Sequence, residues 1–189
     1  MLVPTATVPP PAAAAATVFS LLLGWFAGVV LLLSVAGGWA YNLGLKAAAF
    51  SGAAYLFAFG ALTVGVYVAA PSEPWWVPVV SALLGFGAHF ANVLRDLRAD
   101  AATSVRGLPH RLGPRTGVIA MAAALATASV VSGLAPAGAA VLYSASVVTT
   151  GVVLAAATTT AAVRAPHSAI AFRLTVVIAL LDVVLLVSA

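Results

Sequence analysis

The sequence predicts an all-α fold, a polytopic membrane bundle of six transmembrane helices, on three observations. Hydrophobic residues make up 63% of the 189 and charged residues only 6%, a balance outside the range of soluble domains. Four stretches, Met1 to Leu45, Ala47 to Ser72, Pro74 to Leu94 and Thr116 to Val163, contain no Asp, Glu, Lys or Arg. A helix needs about 20 apolar residues to cross the hydrocarbon core, so the first three stretches hold one span each and the fourth holds two. Residues 168–189 supply the sixth span.

The same composition excludes several classes of function. There is no cysteine, which removes disulfides, thiolate metal sites and thiol catalysis. The formal net charge of +4 is carried by residues that flank apolar runs, so no soluble basic face for nucleic acid is expected.

In chain order, residues 1–13 are proline-rich, with Pro4, Pro9, Pro10 and Pro11, and proline cannot continue a helix backwards. They lack the positively charged leading region of a signal peptide. A first span is expected over about 14–37, followed by the loop WAYNLGLK ending in Lys46, where Trp39 and Tyr41 suit the membrane interface. The second span covers about 47–70 and ends in PSEP, which contains Glu73. Trp75 and Trp76 open the third, about 75–94, which continues into a charged segment. The fourth and fifth, about 116–134 and 137–163, are joined by APAG and are rich in small residues, as in MAAALATAS, a composition for close helix packing. The sixth, about 168–189, carries Arg173 near its start, where it snorkels, and Asp182 further in. Nine residues separate those two, about 13 Å along a helix, so they do not pair. The whole chain, 1–189, reads as one transmembrane domain.

The segment Asn92 to Arg115 holds seven of the twelve formally charged residues. Within it Asn92, Asp96 and Asp100 recur every four residues, so a helix places them on one face, each about 6 Å further along the axis. Arg95, Arg98, Arg106, Arg111 and Arg115 surround or follow this stripe, and Gly107, Pro109, Gly113 and Pro114 break the helix after it. Hard oxygen ligands suit Mg²⁺, which usually takes one or two carboxylates and completes its shell with phosphate oxygens and water. Guanidinium groups take the remaining phosphate oxygens. The competing expectation is an ordinary loop whose Asp and Arg residues pair weakly at the surface. His89, three residues before Asn92, lies on a neighbouring face and is expected to be hydrogen-bonded in the bundle or to line a polar cavity rather than to bind metal.

With six spans, Lys46, the arginines of 95–115 and Arg164 fall on one side, and Glu73 on the other. The positive-inside rule puts the charged segment in the cytoplasm and the protein in the cell membrane.

These residues resemble a known family. GFGAHFANVLRDLRADAATSVRGLPHRLG looks like the second Asp-rich motif and following loop of the UbiA superfamily of intramembrane prenyltransferases, and AYNLGLK looks like that family's Tyr and Lys loop. The resemblance runs from about residue 14 onward and is most specific over Asn92 to Gly113. It implies Mg²⁺-dependent transfer of a prenyl group from an isoprenyl diphosphate to an aromatic or lipophilic acceptor, in quinone or related lipid biosynthesis. Carried over by position, Asp96 and Asp100 coordinate Mg²⁺ with support from Asn92, Lys46 and Arg106 contact the diphosphate, and Tyr41 and His89 line the cavity.

The chain departs from the family in its first motif and in its number of spans. The family carries a first motif, NDxxDxxxD, upstream, and about nine spans; before Lys46 this sequence has no Asp or Glu. The resemblance therefore implies the last two thirds of such an enzyme, with the missing motif supplied by an upstream segment or a second chain. The alternative from another class is a non-enzymatic six-helix membrane protein, a transporter subunit or scaffold. Transporters place polar features near the bilayer midplane, whereas here they gather at one end of the helices.

Overall fold

The computed structural model describes residues 10–70, 75–102, 106–134 and 141–164, together with 170, 173–174, 176–178 and 180. Among them the chain forms α1 (Pro10–Leu22), α2 (Trp25–Leu43), a 3₁₀ turn (Leu45–Ala47), α3 (Ser51–Ala69), α4 (Val77–Ala102), α5 (Leu108–Leu134) and α6 (Val141–Arg164), with no strand. In hydrocarbon every backbone N–H and C=O must be satisfied within the protein, and a helix does this within one segment. Trp25–Leu43, Ser51–Ala69, Val77–Leu94 and Leu108–Leu134 are each long and apolar enough to cross a membrane, and Pro11–Leu22 and Ala145–Ala161 are shorter apolar helices. The protein is an all-helical integral membrane protein. The sixth expected span, 168–189, and Asp182 with it, lies largely outside the described residues, as does Glu73.

Each helix packs on its neighbour in sequence: α1 on α2, α2 on α3, α3 on α4, α4 on α5 and α5 on α6. Without a hydrophobic driving force between helices in lipid, close approach depends on small residues. A Cβ on Gly65 would lie 2.7 Å from the Leu31 side chain, one on Gly85 2.7 Å from the Phe59 ring, and one on Gly87 2.8 Å from Leu125. These glycines let α2 meet α3, α3 meet α4 and α4 meet α5. The main core lies between α4 and α5, where Phe90, Leu94, Val118, Met121 and Leu125 are buried together with Ile178. A second cluster of Trp76, Val80 and Ala128 closes the other end of the same interface. Trp76 is buried in this cluster, while its neighbour Trp75 is exposed.

Over residues 14–37 the chain forms two helices instead of one. The break falls at Leu23 and Gly24, where Gly24 takes φ 111°, and the apolar run LLLGWFAGVV continues through it without a compositional mark. At 13 residues, α1 is about 20 Å long, short of the ~30 Å hydrocarbon core. It folds back onto α2 at Gly28, where a Cβ would sit 2.7 Å from the Ser20 carbonyl oxygen. Helix α2 then runs on through WAYNL. Gly37 does not end it, because its missing side chain makes room for the Phe57 ring of α3. The Gly44 N–H closes the helix on the Ala40 and Tyr41 carbonyls.

Helix α4 has 26 residues, about 39 Å, and outruns the hydrocarbon core. Its apolar part ends at Leu94, so the turns that follow lift the charged residues into the interface. The connection to α5 is correspondingly short. A helical turn beginning at Leu108 is interrupted at Gly113, with φ 79° and ψ 167°, and Pro114 opens the long apolar part, a position that proline tolerates. That backbone conformation is essentially restricted to glycine. A Cβ there would meet nothing within 4 Å, so Gly113→Ala tests backbone strain alone. We expect it to destabilise the protein by about 1 kcal/mol, read as an earlier midpoint in a denaturing-detergent titration.

Candidate functional site

The expected site residues come from three places: the end of α2 and its 3₁₀ turn (Tyr41, Lys46), the second half of α4 (His89, Asn92, Asp96, Asp100) and the segment before α5 (Arg106). The element order puts all three at one end of the bundle. Lys46 and Arg106 are both exposed. They belong to segments in direct contact, since a Cβ on Gly107 would overlap the Lys46 carbonyl oxygen. Arg111 Nε donates to the Arg106 carbonyl at 3.1 Å, which braces this segment from the far side.

Ser51, the first residue of α3, joins these pieces. Its Oγ accepts a hydrogen bond from the Leu108 N–H at 2.9 Å and lies 3.2 Å from His89 Nε2. Ser51 is wholly buried and His89 is 1% exposed. The His89 ring is enclosed by aromatic groups. Tyr41 meets it edge-on with centroids 5.5 Å apart, Tyr55 tilts against it at 4.8 Å, and the two tyrosines meet edge-on at 4.9 Å. His89 Nδ1 is buried and has no hydrogen-bond partner among the described residues.

Asn92 follows His89 by three residues, or about one helical turn. Because α4 is continuous to Ala102, Asn92, Asp96 and Asp100 occupy successive turns of one face. Asn92 and Asp96 are half-buried; the side chains of Arg95, Arg98 and Asp100 lie outside the described residues. Two carboxylates and an amide oxygen in this register are hard donors of the type Mg²⁺ takes. Among the described residues no group of three or more His, Cys, Asp or Glu forms a closed metal cage.

The structure thus brings Tyr41, His89 and the Lys46 and Arg106 segments together around Ser51, with Asn92 and Asp96 further along α4. Ser51, Tyr55 and Gly107 are the members that sequence reasoning missed. Ser51 had one weak signal, a serine opening an apolar helix, where such residues cap backbone N–H groups; here it caps a different helix. Tyr55 lies one turn beyond Ser51, and nothing in its sequence context separates it from any other aromatic in a span.

No curated protein and no solved structure matches the chain. A sequence model of the UbiA prenyltransferase family matches residues 12–181, which takes in α2 to α6 and every site residue above. The chain belongs to the UbiA prenyltransferase family.

Proposed function

We propose that this protein transfers a prenyl group from an isoprenyl diphosphate to an aromatic or lipophilic acceptor, with Mg²⁺, in quinone or related lipid synthesis. Asp96 and Asp100 hold the metal, with the Asn92 side-chain oxygen in support, and Lys46 and Arg106 bind the diphosphate. Family membership supports prenyl transfer in general. The observation that carries the finer reading is the packing of Gly107 on the Lys46 carbonyl, which sets two exposed cations at the end of the bundle where the α4 stripe emerges.

Bound Mg²⁺ supplies a Lewis acid that neutralises charge growing on the departing diphosphate. Lys46 and Arg106 add positive charge at the same place, which favours ionisation of the allylic C–O bond. The aromatic wall of Tyr41 and Tyr55 excludes water from the carbon left behind. Apolar helices accept the isoprenoid tail from the bilayer, and binding energy from that remote tail holds the reacting carbon in place. The positive-inside rule puts this end of the bundle in the cytoplasm of a cell membrane, the compartment of water-soluble diphosphates.

The test is calorimetric titration of the detergent-solubilised protein with inorganic pyrophosphate, with Mg²⁺ and with EDTA. Saturable binding in Mg²⁺ that disappears in EDTA is expected. Equal heats in the two conditions would sink the metal–diphosphate assignment and favour a non-enzymatic membrane protein.

A further inference from the structure

We infer that Ser51 is a positioning residue that sets the spacing of the two diphosphate-binding segments. The inference rests on the reading that Lys46 and Arg106 contact the diphosphate. Those residues stand just before the starts of two different helices: Lys46 in the turn leading to α3, Arg106 in the segment leading to α5. The first N–H groups of a helix have no partner inside it. At the start of α5, the Leu108 N–H finds its partner in the Ser51 hydroxyl at the start of α3, at 2.9 Å. One side chain therefore caps the second helix from the first and joins the bases of both segments.

Three further contacts fix this junction. Ser51 Oγ is itself held by His89 Nε2 on α4, 3.2 Å away. The Ser51 backbone N–H donates to the Ala48 carbonyl at 3.1 Å, just past the Lys46 turn. The absent side chain of Gly107 leaves room both for the Lys46 carbonyl and for Ser51 Oγ, which a Cβ there would approach to 2.8 Å. A hydroxyl supplies one donor and two acceptor positions, so one serine serves both the Leu108 N–H and the imidazole. Lys46 and Arg106 carry their charges on long flexible stems; the backbone beneath them is what can be set before a diphosphate arrives. Ser51 is wholly buried, so it touches no diphosphate and acts only through its neighbours.

The experiment measures Mg²⁺-dependent pyrophosphate affinity of the full chain in detergent. Losing the hydroxyl leaves a buried N–H and an imidazole nitrogen unpaired, and Ser51→Ala is expected to bind ~10-fold more weakly. Gly107→Ala, which removes no polar group but forces the two segments apart, is expected to give a loss of the same size. Ser51→Thr and His89→Gln, which keep a hydroxyl and a group near the Nε2 position, are expected to stay within ~3-fold of wild type. Ser34→Ala is the control for general loosening. It removes a buried bond of 2.6 Å to the Ala58 carbonyl between α2 and α3 and is expected to leave affinity unchanged. In a Lys46→Ala/Arg106→Ala background, Ser51→Ala is expected to add less than ~2-fold, because the residues it positions are gone.

Wild-type affinity in Ser51→Ala alongside a loss in Lys46→Ala/Arg106→Ala would overturn the inference and leave the diphosphate reading standing. An equal loss in Ser34→Ala, or a Ser51→Ala effect undiminished in the double-variant background, would also overturn it. No Mg²⁺-dependent binding by wild type, or none lost in Lys46→Ala/Arg106→Ala, would remove the diphosphate reading and this inference with it.

Discussion

Asp96→Asn is expected to lower Mg²⁺-dependent pyrophosphate affinity by ~100-fold or more, since loss of even an outer-shell partner of a metal ligand typically costs 10–100-fold. Mg²⁺ relies on one or two carboxylates for its hold on a protein. Converting one to an amide removes a full negative charge while preserving shape, so a large effect reports charge and not packing. Asp100→Asn, one turn further along α4, is expected to behave in the same way. The pair together should leave no Mg²⁺-dependent heat in the titration, while Glu73→Gln, in the α3–α4 connection at the other end of α4, should be silent. If Asp96→Asn and Asp100→Asn bound pyrophosphate as wild type does, the acidic stripe would have no role in metal binding.

The stripe was legible in the sequence because four-residue spacing is an intrinsic property of a helix, and the apolar run before Asn92 left no other structure available. Helical class was legible for the same reason: charge-free stretches of this length must bury their backbone polar groups in helices. The helix ends were less legible. A glycine stops a helix only when its conformation or surroundings require it, and the sequence does not separate Gly24, which takes φ 111°, from Gly37, which remains helical against Phe57. Resemblance, not spacing, linked Lys46 to Arg106, since 60 positions in the numbering separate them. Ser51 had only the weak signal of a serine opening an apolar helix, and Gly107 read as a helix breaker and nothing more. Their part depends on which helix starts come side by side, and that follows from packing among α3, α4 and α5.

This dependence gives the site an electrostatic logic that neither motif shows alone. Asp96 and Asp100 on α4 and the basic residues Lys46 and Arg106 before α3 and α5 belong to different elements. On the proposed reading, a diphosphate with its metal enters between them, its own charges answering both. The aromatic cluster of Tyr41, Tyr55 and His89 lies on the membrane side of this junction, since His89 comes one turn before Asn92 on α4 and the apolar part of α4 ends just beyond, at Leu94. On the same proposed reading, the charged and apolar parts of an isoprenyl diphosphate meet matching partners in that order along α4.

The packing that creates this order is most exposed to damage at Phe90. Phe90 is wholly buried, sits in the α4–α5 core with Leu94, Met121 and Leu125, and stacks obliquely on Phe86 with centroids 4.8 Å apart. In a soluble protein, Phe→Ala at such a site costs about 3–5 kcal/mol, combining lost transfer from water with the cavity left behind. In a bilayer the unfolded helices already hold their side chains in hydrocarbon, so most of the transfer contribution cancels and lost contact with the cavity remains. We therefore expect Phe90→Ala to destabilise by about 2–3 kcal/mol, read from reversible unfolding in mixed micelles of increasing dodecyl sulfate content. Phe19, 69% exposed on α1, is the comparison. It faces lipid in either state, and Phe19→Ala should change stability by less than about 0.5 kcal/mol. Equal effects at the two positions would mean that α4 and α5 are not packed through Phe90, and the register that carries Asn92 and Asp96 to the site would lose its support.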